Sequence, residues 1–156
     1  HQSNLDILAL FAGLPVQFRW LAKQELFRIP LFGLAMRRTG YIPVDRSDRR
    51  SAITSMNLAA QRIAHGTSII VFPEGTRSPD GHLLPFKKGG FMLALQAQVP
   101  IIPVALQGSR ESLPKQAWRI RPGRITVRIF PAIATVGLTA ADREQLMEQV
   151  RLPLAG

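Results

Sequence analysis

Short apolar segments alternate along the chain with segments of helical periodicity, and glycine and proline separate them. One predicted helix carries apolar residues on a single face, at Ile53, Met56, Ala60 and Ile63. Gly66 is placed to end this helix, and an apolar strand is predicted directly after it, over 68–72. The chain therefore contains at least one helix-to-strand unit.

The same pattern continues on both sides of that unit. Further strands are predicted over 17–22, 41–44, 101–106 and 124–130. Further helices are predicted from Pro30 to Arg38, over 91–98, and after a capping box formed by Thr139 and Asp142. This alternation predicts an α/β fold: a single domain with a mostly parallel or mixed central sheet flanked by helices.

Composition narrows the classes of partner and chemistry. The 156 residues suit one domain, and the formal net charge of +10 favours an anionic partner: nucleic acid, a phospholipid surface or a phosphorylated substrate. The absence of cysteine excludes thiolate nucleophiles, disulfides and cysteine-ligated zinc. No apolar run approaches the ~20 residues that span a bilayer.

The first candidate for chemistry is the opening segment HQSNLDIL. On one regular helix His1 and Asp6 would lie about 140° apart and could not meet. With His1 in a preceding loop and Asp6 in the first helical turn, the carboxylate could hold one imidazole nitrogen and leave the other as a base. Alternatively, Ser3 and Asp6 form a capping box at the start of that helix. This segment alone does not decide between the two interpretations.

A second candidate is VFPEGTRS, where a predicted strand runs into a turn displaying an acid, a hydroxyl and a guanidinium. Open α/β sheets bind ligands at the carboxyl ends of their strands. Arg77 could fork onto a phosphate while the backbone of Gly75 approaches it closely. By itself, GYIPVDR is typical of a strand that leads into a solvated turn. VPIIPVAL, by itself, is typical of a buried apolar segment. Serine-elbow, Walker and dinucleotide glycine motifs are absent from the sequence.

Taken in order, these four segments resemble the blocks of the lysophosphatidate (1-acyl-glycerol-3-phosphate) acyltransferase family, a family of PlsC-like glycerolipid acyltransferases. That family has a histidine and an aspartate separated by four residues, a block ending in Asp-Arg, the block FPEGTRS and a proline-containing apolar block. LAKQELFRIPLFGLAMRRTG and PFKKGGFMLAL are also similar to the family. The resemblance covers residues 1 to about 109.

The resemblance implies that His1 deprotonates an acceptor hydroxyl and that Asp6 orients His1. The hydroxyl then attacks the thioester of acyl-CoA or acyl carrier protein, with no acyl-enzyme. It assigns the acceptor, a lysophospholipid such as lysophosphatidate, to Arg46, Glu74, Gly75, Thr76 and Arg77. Pro103 is linked more loosely to the acyl chain or donor. No metal or other cofactor is implied.

Several expectations concern the wider context of the chain. We expect residues 1–156 to form one catalytic domain that lacks a natural N-terminal membrane-associating segment, because the chain begins at His1 inside the first block. We expect a membrane-associated enzyme at the cytoplasmic face. Other acceptors, such as lyso-ornithine lipid, glycerol-3-phosphate or another lysophospholipid, stay open.

The last third of the chain carries a basic stretch formed by Lys115, Arg119, Arg121, Arg124 and Arg128. It could belong to a nucleic-acid-binding module, but that hypothesis leaves the four ordered blocks unexplained, so no nucleic-acid partner is expected. It could instead dock on anionic lipid headgroups or on an acidic carrier protein. It could also be a solvated edge strand protected from aggregation by its charge.

Overall fold

The computed structural model of the chain describes residues 1–44, 49–114 and 117–155. The helices are α1 (Leu5–Gly13), α2 (Phe32–Arg38), α3 (Arg49–Ala64), α4 (Gly89–Ala97), α5 (Ser109–Ser112) and α6 (Arg143–Arg151). The strands are β1 (Phe18–Lys23), β2 (Ile42–Val44), β3 (Ser68–Ile70), β4 (Val104–Gln107) and β5 (Thr126–Ile129). Three short 3-10 helices cover Gln24–Arg28, Ala140–Asp142 and Leu152–Leu154.

Three of the strands form a parallel sheet in the order β2-β1-β3. The first half of β1 pairs with β3, with Phe18 opposite Ser68, and its second half pairs with β2, with Leu21 opposite Ile42. The carboxyl ends of all three strands therefore point toward the same edge. β4 and β5 form a separate antiparallel pair. The predicted α/β fold, with a mostly parallel or mixed central sheet flanked by helices, is confirmed, and the central sheet is parallel.

The helices bury their apolar faces against these strands in three clusters. α3 and α4 pack on β2 through Ile42, Ala59, Ala60 and Leu93. The opposite face of α4 packs against α6 through Phe91, Leu95, Leu146 and Val150. α1 places Leu10 on Phe18 and Trp20 of β1, with side chains of β4 and β5 against the same cluster. α1 therefore connects the parallel sheet to the antiparallel pair.

Most predicted elements are present, but the strands predicted over 68–72, 101–106 and 124–130 are shorter in the structure, the last of them covering Thr126–Ile129. The strand predicted over 101–106 begins only at Val104, because Pro100 and Pro103 lack the N–H that a ladder requires. Before it, Ile101 makes a single bridge to Ile133. The strand predicted over 68–72 ends at Ile70, where β1 changes its partner from β3 to β2. The predicted capping box of Thr139 and Asp142 is present at the 3-10 turn that leads into α6.

Within the described ranges, no helix combines the length and the hydropathy that crossing a bilayer requires.

Candidate active site

His1 and Asp6 meet at the start of α1. The Nδ1 of His1 lies 2.6 Å from Oδ2 of Asp6, and the Asp6 side chain is fully buried while that of His1 is 14% exposed. A buried carboxylate at this distance favours the tautomer that carries its proton on Nδ1. The Nε2 lone pair of His1 is then left to accept a proton.

The same Asp6 oxygen also accepts from the backbone. The N–H groups of Gln2 and Ser3 donate to Oδ2 at 2.7 and 3.0 Å, and the Leu5 N–H donates to the Ser3 hydroxyl at 3.1 Å. Asp6 stands in the first turn of α1, where the helix dipole favours a negative charge. The capping and dyad interpretations are therefore compatible, since one carboxylate closes the helix start and holds the imidazole.

Aromatic side chains pack against the face of the His1 imidazole. The His1 ring stacks on Phe72, with centroids 3.9 Å apart and planes 12° from parallel. Phe72 in turn stacks on the buried Trp20 of β1 at 5.3 Å. Sequence reasoning did not identify Phe72 and Trp20 as part of the site. Their positions could have indicated a role in the site. Phe72 opens the FPEGTRS block, and Trp20 is opposite Ile70 of the neighbouring parallel strand.

The turn after β3 clamps the backbone of His1. Oε1 of Glu74 accepts from the His1 backbone nitrogen at 2.5 Å, and the Ser78 N–H donates to the His1 carbonyl oxygen at 2.8 Å. Oε2 of Glu74 accepts from the Leu84 N–H at 2.9 Å. Glu74 is buried, at 4% exposure, and both of its oxygens are bound within the protein. These contacts position His1 and order the loop that follows.

Local backbone chemistry explains the shape of this turn. Gly75 has φ +73°, a conformation that a side chain would strain, and its N–H donates to the Phe72 carbonyl at 3.1 Å. Further along, the Asp80 carboxylate accepts from the His82 N–H and the Ser78 hydroxyl. These two hydrogen bonds, that of the His82 backbone first, hold the pKa of Asp80 below its usual value. The loop is thus closed by its own polar groups.

Arg77 reaches from this turn to the start of α1. Its Nη1 donates to Oδ1 of Asn4 at 3.1 Å, and its side chain is partly exposed. Thr76 beside it is exposed. The structure thus gathers His1, Asp6, Glu74, Gly75, Thr76 and Arg77 from two segments of the sequence. Arg46, the remaining predicted acceptor residue, lies outside the described residues.

A large cavity of about 800 Å³ is lined mostly by apolar side chains, and His1 and Phe72 are among its lining residues. Its walls include Leu10 and Leu14 from α1 and its C-terminal end, Phe18 from β1 and Ala105 from β4. The buried Pro103, directly before β4, also lines it. The cavity can therefore hold an apolar chain against the dyad.

Comparisons with known proteins agree with this geometry. The family model described as Acyltransferase matches residues 1–107, which include both halves of the site. The chain belongs to the acyltransferase family. The family thus extends over α1, the parallel sheet, the turn after β3 and β4, while the segment from Gly108 onward lies beyond the match.

Individual relatives match nearly the whole chain. It is 42% identical over 153 residues to 1-acyl-sn-glycerol-3-phosphate acyltransferase alpha of Mus musculus, covering 97% of this chain and 54% of that protein. It is 42% identical over 136 residues to 1-acyl-sn-glycerol-3-phosphate acyltransferase of Limnanthes alba, covering 86% of this chain and 48% of that protein. The chain spans about half the length of the curated relatives it matches.

A solved structure has the same fold. The crystal structure of the 1-acyl-sn-glycerophosphate (LPA) acyltransferase PlsC from Thermotoga maritima superposes with a TM-score of 0.83 at 32% sequence identity. The match covers 99% of this chain and 61% of that one. The resemblance drawn from the four blocks is therefore confirmed at the level of family and fold.

Proposed function

We propose that the chain transfers a fatty acyl group from acyl-CoA or acyl carrier protein to the free hydroxyl of lysophosphatidate, giving phosphatidate. The observation that carries the proposal is the 2.6 Å contact between the buried Asp6 carboxylate and Nδ1 of His1, a residue that lines an apolar cavity. The named activities of the relatives support the acceptor.

In the proposed reaction His1 is the general base. Nε2 of His1 takes the proton of the acceptor hydroxyl while Nδ1 keeps its proton toward Asp6. The acceptor oxygen attacks the thioester carbonyl, and the C–S bond of the tetrahedral intermediate then breaks. The imidazolium returns its proton to the leaving thiolate, so atoms and charge balance. No acyl-enzyme, metal or other cofactor takes part in this sequence.

Charge and shape support the assignment of the two substrates. Arg77 donates to Asn4 at the start of α1 and has the planar fork that suits a phosphate, with Gly75 and Thr76 next to it in the same turn. The apolar cavity that Pro103 helps to line suits the acyl chain. Arg46 is proposed as a further phosphate contact on the strength of the sequence resemblance. We place the activity at the cytoplasmic face of a membrane, where a lipid acceptor and a soluble thioester meet.

The proposal is tested by incubating the purified protein with lysophosphatidate and either acyl-CoA or acyl-loaded carrier protein, with products identified by mass spectrometry. Phosphatidate is the expected product. Parallel incubations contain glycerol-3-phosphate, lyso-ornithine lipid or a lysophospholipid with a larger headgroup. A higher kcat/KM with one of these acceptors than with lysophosphatidate overturns the acceptor assignment, and no acylated product from any of them overturns acyl transfer.

A further inference from the structure

The segment 117–124, called here the Trp118 segment, exposes two large apolar side chains. Trp118 is 97% exposed and Ile120 is 67% exposed. Water around an indole and a branched aliphatic side chain is unfavourable, and such side chains, when close together on a surface, commonly mark an interaction site. The activity proposed above uses neither residue.

Three arginines accompany these side chains. Arg119, Arg121 and Arg124 are all exposed in the same segment, so that apolar and cationic side chains alternate over Trp118–Arg121. Tryptophan favours the headgroup region of a bilayer, where its ring is half in apolar and half in polar surroundings. Each arginine near an anionic leaflet strengthens binding about fivefold through electrostatic attraction. Composition and charge together match an anionic bilayer surface.

The backbone of the segment is fixed to the rest of the fold at both ends. The Ala117 N–H donates to the Pro114 carbonyl at 3.0 Å, and the Arg121 N–H donates to the Ser112 carbonyl at 2.8 Å. At the other end, Gly108 packs so closely that a Cβ there would lie 2.0 Å from the Arg124 carbonyl oxygen. The exposed side chains therefore project from an anchored loop.

The loop is also connected to the candidate active site. Ser3, next to the dyad, donates through its hydroxyl to the Leu113 carbonyl at 2.7 Å, one residue after the Ser112 carbonyl that holds Arg121. Arg121 and Ser78 line one pocket of about 220 Å³, and Ser78 directly follows Arg77. A surface on which the Trp118 segment rests would lie close to the turn proposed to bind the acceptor phosphate.

We propose that the Trp118 segment is a docking surface for an anionic lipid bilayer, in which Trp118 and Ile120 enter the headgroup region and Arg119, Arg121 and Arg124 contact lipid phosphates. An exposed indole beside an aliphatic side chain favours this occupant over an acidic carrier protein, which the arginines alone would also suit. The role of docking in catalysis rests on the proposed function, because docking brings the protein to its acceptor only if that acceptor is a lipid. Docking itself is measured without any substrate.

The test uses the two tryptophans of the chain, of which Trp20 is buried and Trp118 is exposed. Emission of the full chain minus that of the Trp118→Phe variant reports Trp118 alone. With vesicles of phosphatidylcholine and phosphatidylglycerol this emission is expected to move to shorter wavelength, and with pure phosphatidylcholine to move much less. Substrate is absent, so failure here is distinguishable from failure of acyl transfer.

Vesicle sedimentation measures affinity in parallel. We expect Trp118→Ala to weaken binding about tenfold and Arg119→Gln about fivefold. Arg151→Gln, which removes an exposed arginine at the end of α6, is the matched control and should leave binding unchanged. All three positions are exposed, so folding should be preserved, and circular dichroism verifies it.

Four results would overturn the proposal. One is the absence of sedimentation with anionic vesicles, and another is sedimentation with unchanged Trp118 emission, which would place docking on a different surface. Equal losses of vesicle affinity for Arg119→Gln and Arg151→Gln would show that binding depends on the net charge of the protein and not on the Trp118 segment. A shift of Trp118 emission with acidic acyl carrier protein, and none with vesicles, would identify a protein as the partner.

Discussion

The Asp6 carboxylate holds the imidazole and the start of α1 with a single oxygen. Oδ2 lies within 3.0 Å of His1 Nδ1 and of the backbone nitrogens of Gln2 and Ser3. Hydrogen bonds to an ionised acceptor are stronger than those between neutral groups, and they are aligned here with the N-terminus of a helix. Removal of the charge at Asp6 should therefore affect both catalysis and orientation of the dyad.

Asp6→Asn is expected to lower kcat by about 10³–10⁴-fold while leaving weak activity. With its oxygen at the position of Oδ2, the amide still accepts from His1 Nδ1 and from the Gln2 and Ser3 N–H groups, but it carries no negative charge to stabilise the imidazolium that forms when His1 takes the proton. Its NH₂ then takes the place of Oδ1, a buried atom with no hydrogen-bond partner among the described residues, so a buried donor is left without an acceptor. Steady-state kinetics measures the loss, and a near-normal kcat would contradict the orienting role of Asp6.

Arg77→Lys is expected to raise the acceptor KM more than the donor KM, and Arg77→Ala to raise it further. Lysine keeps the charge but loses the fork, and loss of one charge-assisted hydrogen bond costs about 1.5–3 kcal/mol, or roughly one to two orders of magnitude in kcat/KM. Each substrate is varied in turn, and a melting curve is recorded.

The opposing interpretation of Arg77 is structural, because its guanidinium already donates to Asn4 at the start of α1. If that contact is its whole role, both substrates suffer equally and the melting temperature falls. Equal loss for donor and acceptor with lower stability would therefore reject the phosphate assignment.

Among the elements, the turn after β3 connects the parallel sheet to the dyad. Glu74 and Ser78 bind the two backbone polar groups of His1, and Glu74 also binds the Leu84 N–H. The end of β3, the turn after it and the segment before α1 are therefore held together. The geometry of the base depends on this turn as well as on Asp6.

Glu74→Gln is expected to destabilise the fold by about 1–3 kcal/mol and to lower kcat. The amide has a single acceptor oxygen, so its NH₂ would face one of two backbone N–H groups in a buried site. Thr139→Ala, which removes the capping box before α6, is the control: it should cost about 1 kcal/mol and leave kcat unchanged. Thermal melting and kinetics measure both variants.

The opposite outcome for Glu74→Gln is equally informative. Unchanged stability together with a raised acceptor KM would mean that the carboxylate contacts the acceptor directly, which is the role that the sequence resemblance suggests.

Periodicity predicted the elements that are long or well punctuated, such as α3, which ends at Ala64 just before Gly66 and Thr67. It placed the strand ends less well, because strand ends depend on pairing between distant segments. β3 ends where β1 changes partner, and β4 begins only after the prolines. Neither feature is encoded in the local apolar pattern.

For the candidate site, order and spacing predicted the residues that carry polar chemistry. They did not predict the stacking of His1 on Phe72 or the clamp on the His1 backbone, since both join positions more than 70 apart in the chain. Contacts of this kind follow from the parallel pairing of β1 and β3 and from the turn at Gly75. Knowledge of the sheet register is needed before they can be inferred.

In the whole molecule, His1 lines an apolar cavity of about 800 Å³ whose walls include residues of α1, β1 and β4. Arg77, which is partly exposed, lies outside this lining. This division matches a reaction between a charged acceptor and a long apolar donor chain. Cavity volume should accordingly limit the length of the chain that is transferred.

Ala105→Phe is expected to lower kcat/KM for long-chain donors about tenfold more than for short-chain donors, because the larger side chain occupies part of the cavity. Kinetics with a series of saturated acyl-CoA thioesters measures the selectivity. An exposed apolar position, Val136→Phe, is the matched control. Equal losses for all chain lengths would show that the cavity does not hold the acyl chain.

The proposed reaction depends above all on His1 as the base, and a comparison of two histidine variants tests this role directly. His1→Ala and His65→Ala each remove an imidazole, but His65 is exposed and contacts only its own helix through the Gln61 carbonyl among the side-chain hydrogen bonds described. The measurement is the rate of phosphatidate formation by folded protein at saturating donor and lysophosphatidate. We expect no turnover for His1→Ala and a normal rate for His65→Ala, whereas a near-normal rate for His1→Ala would rule out His1 as the base.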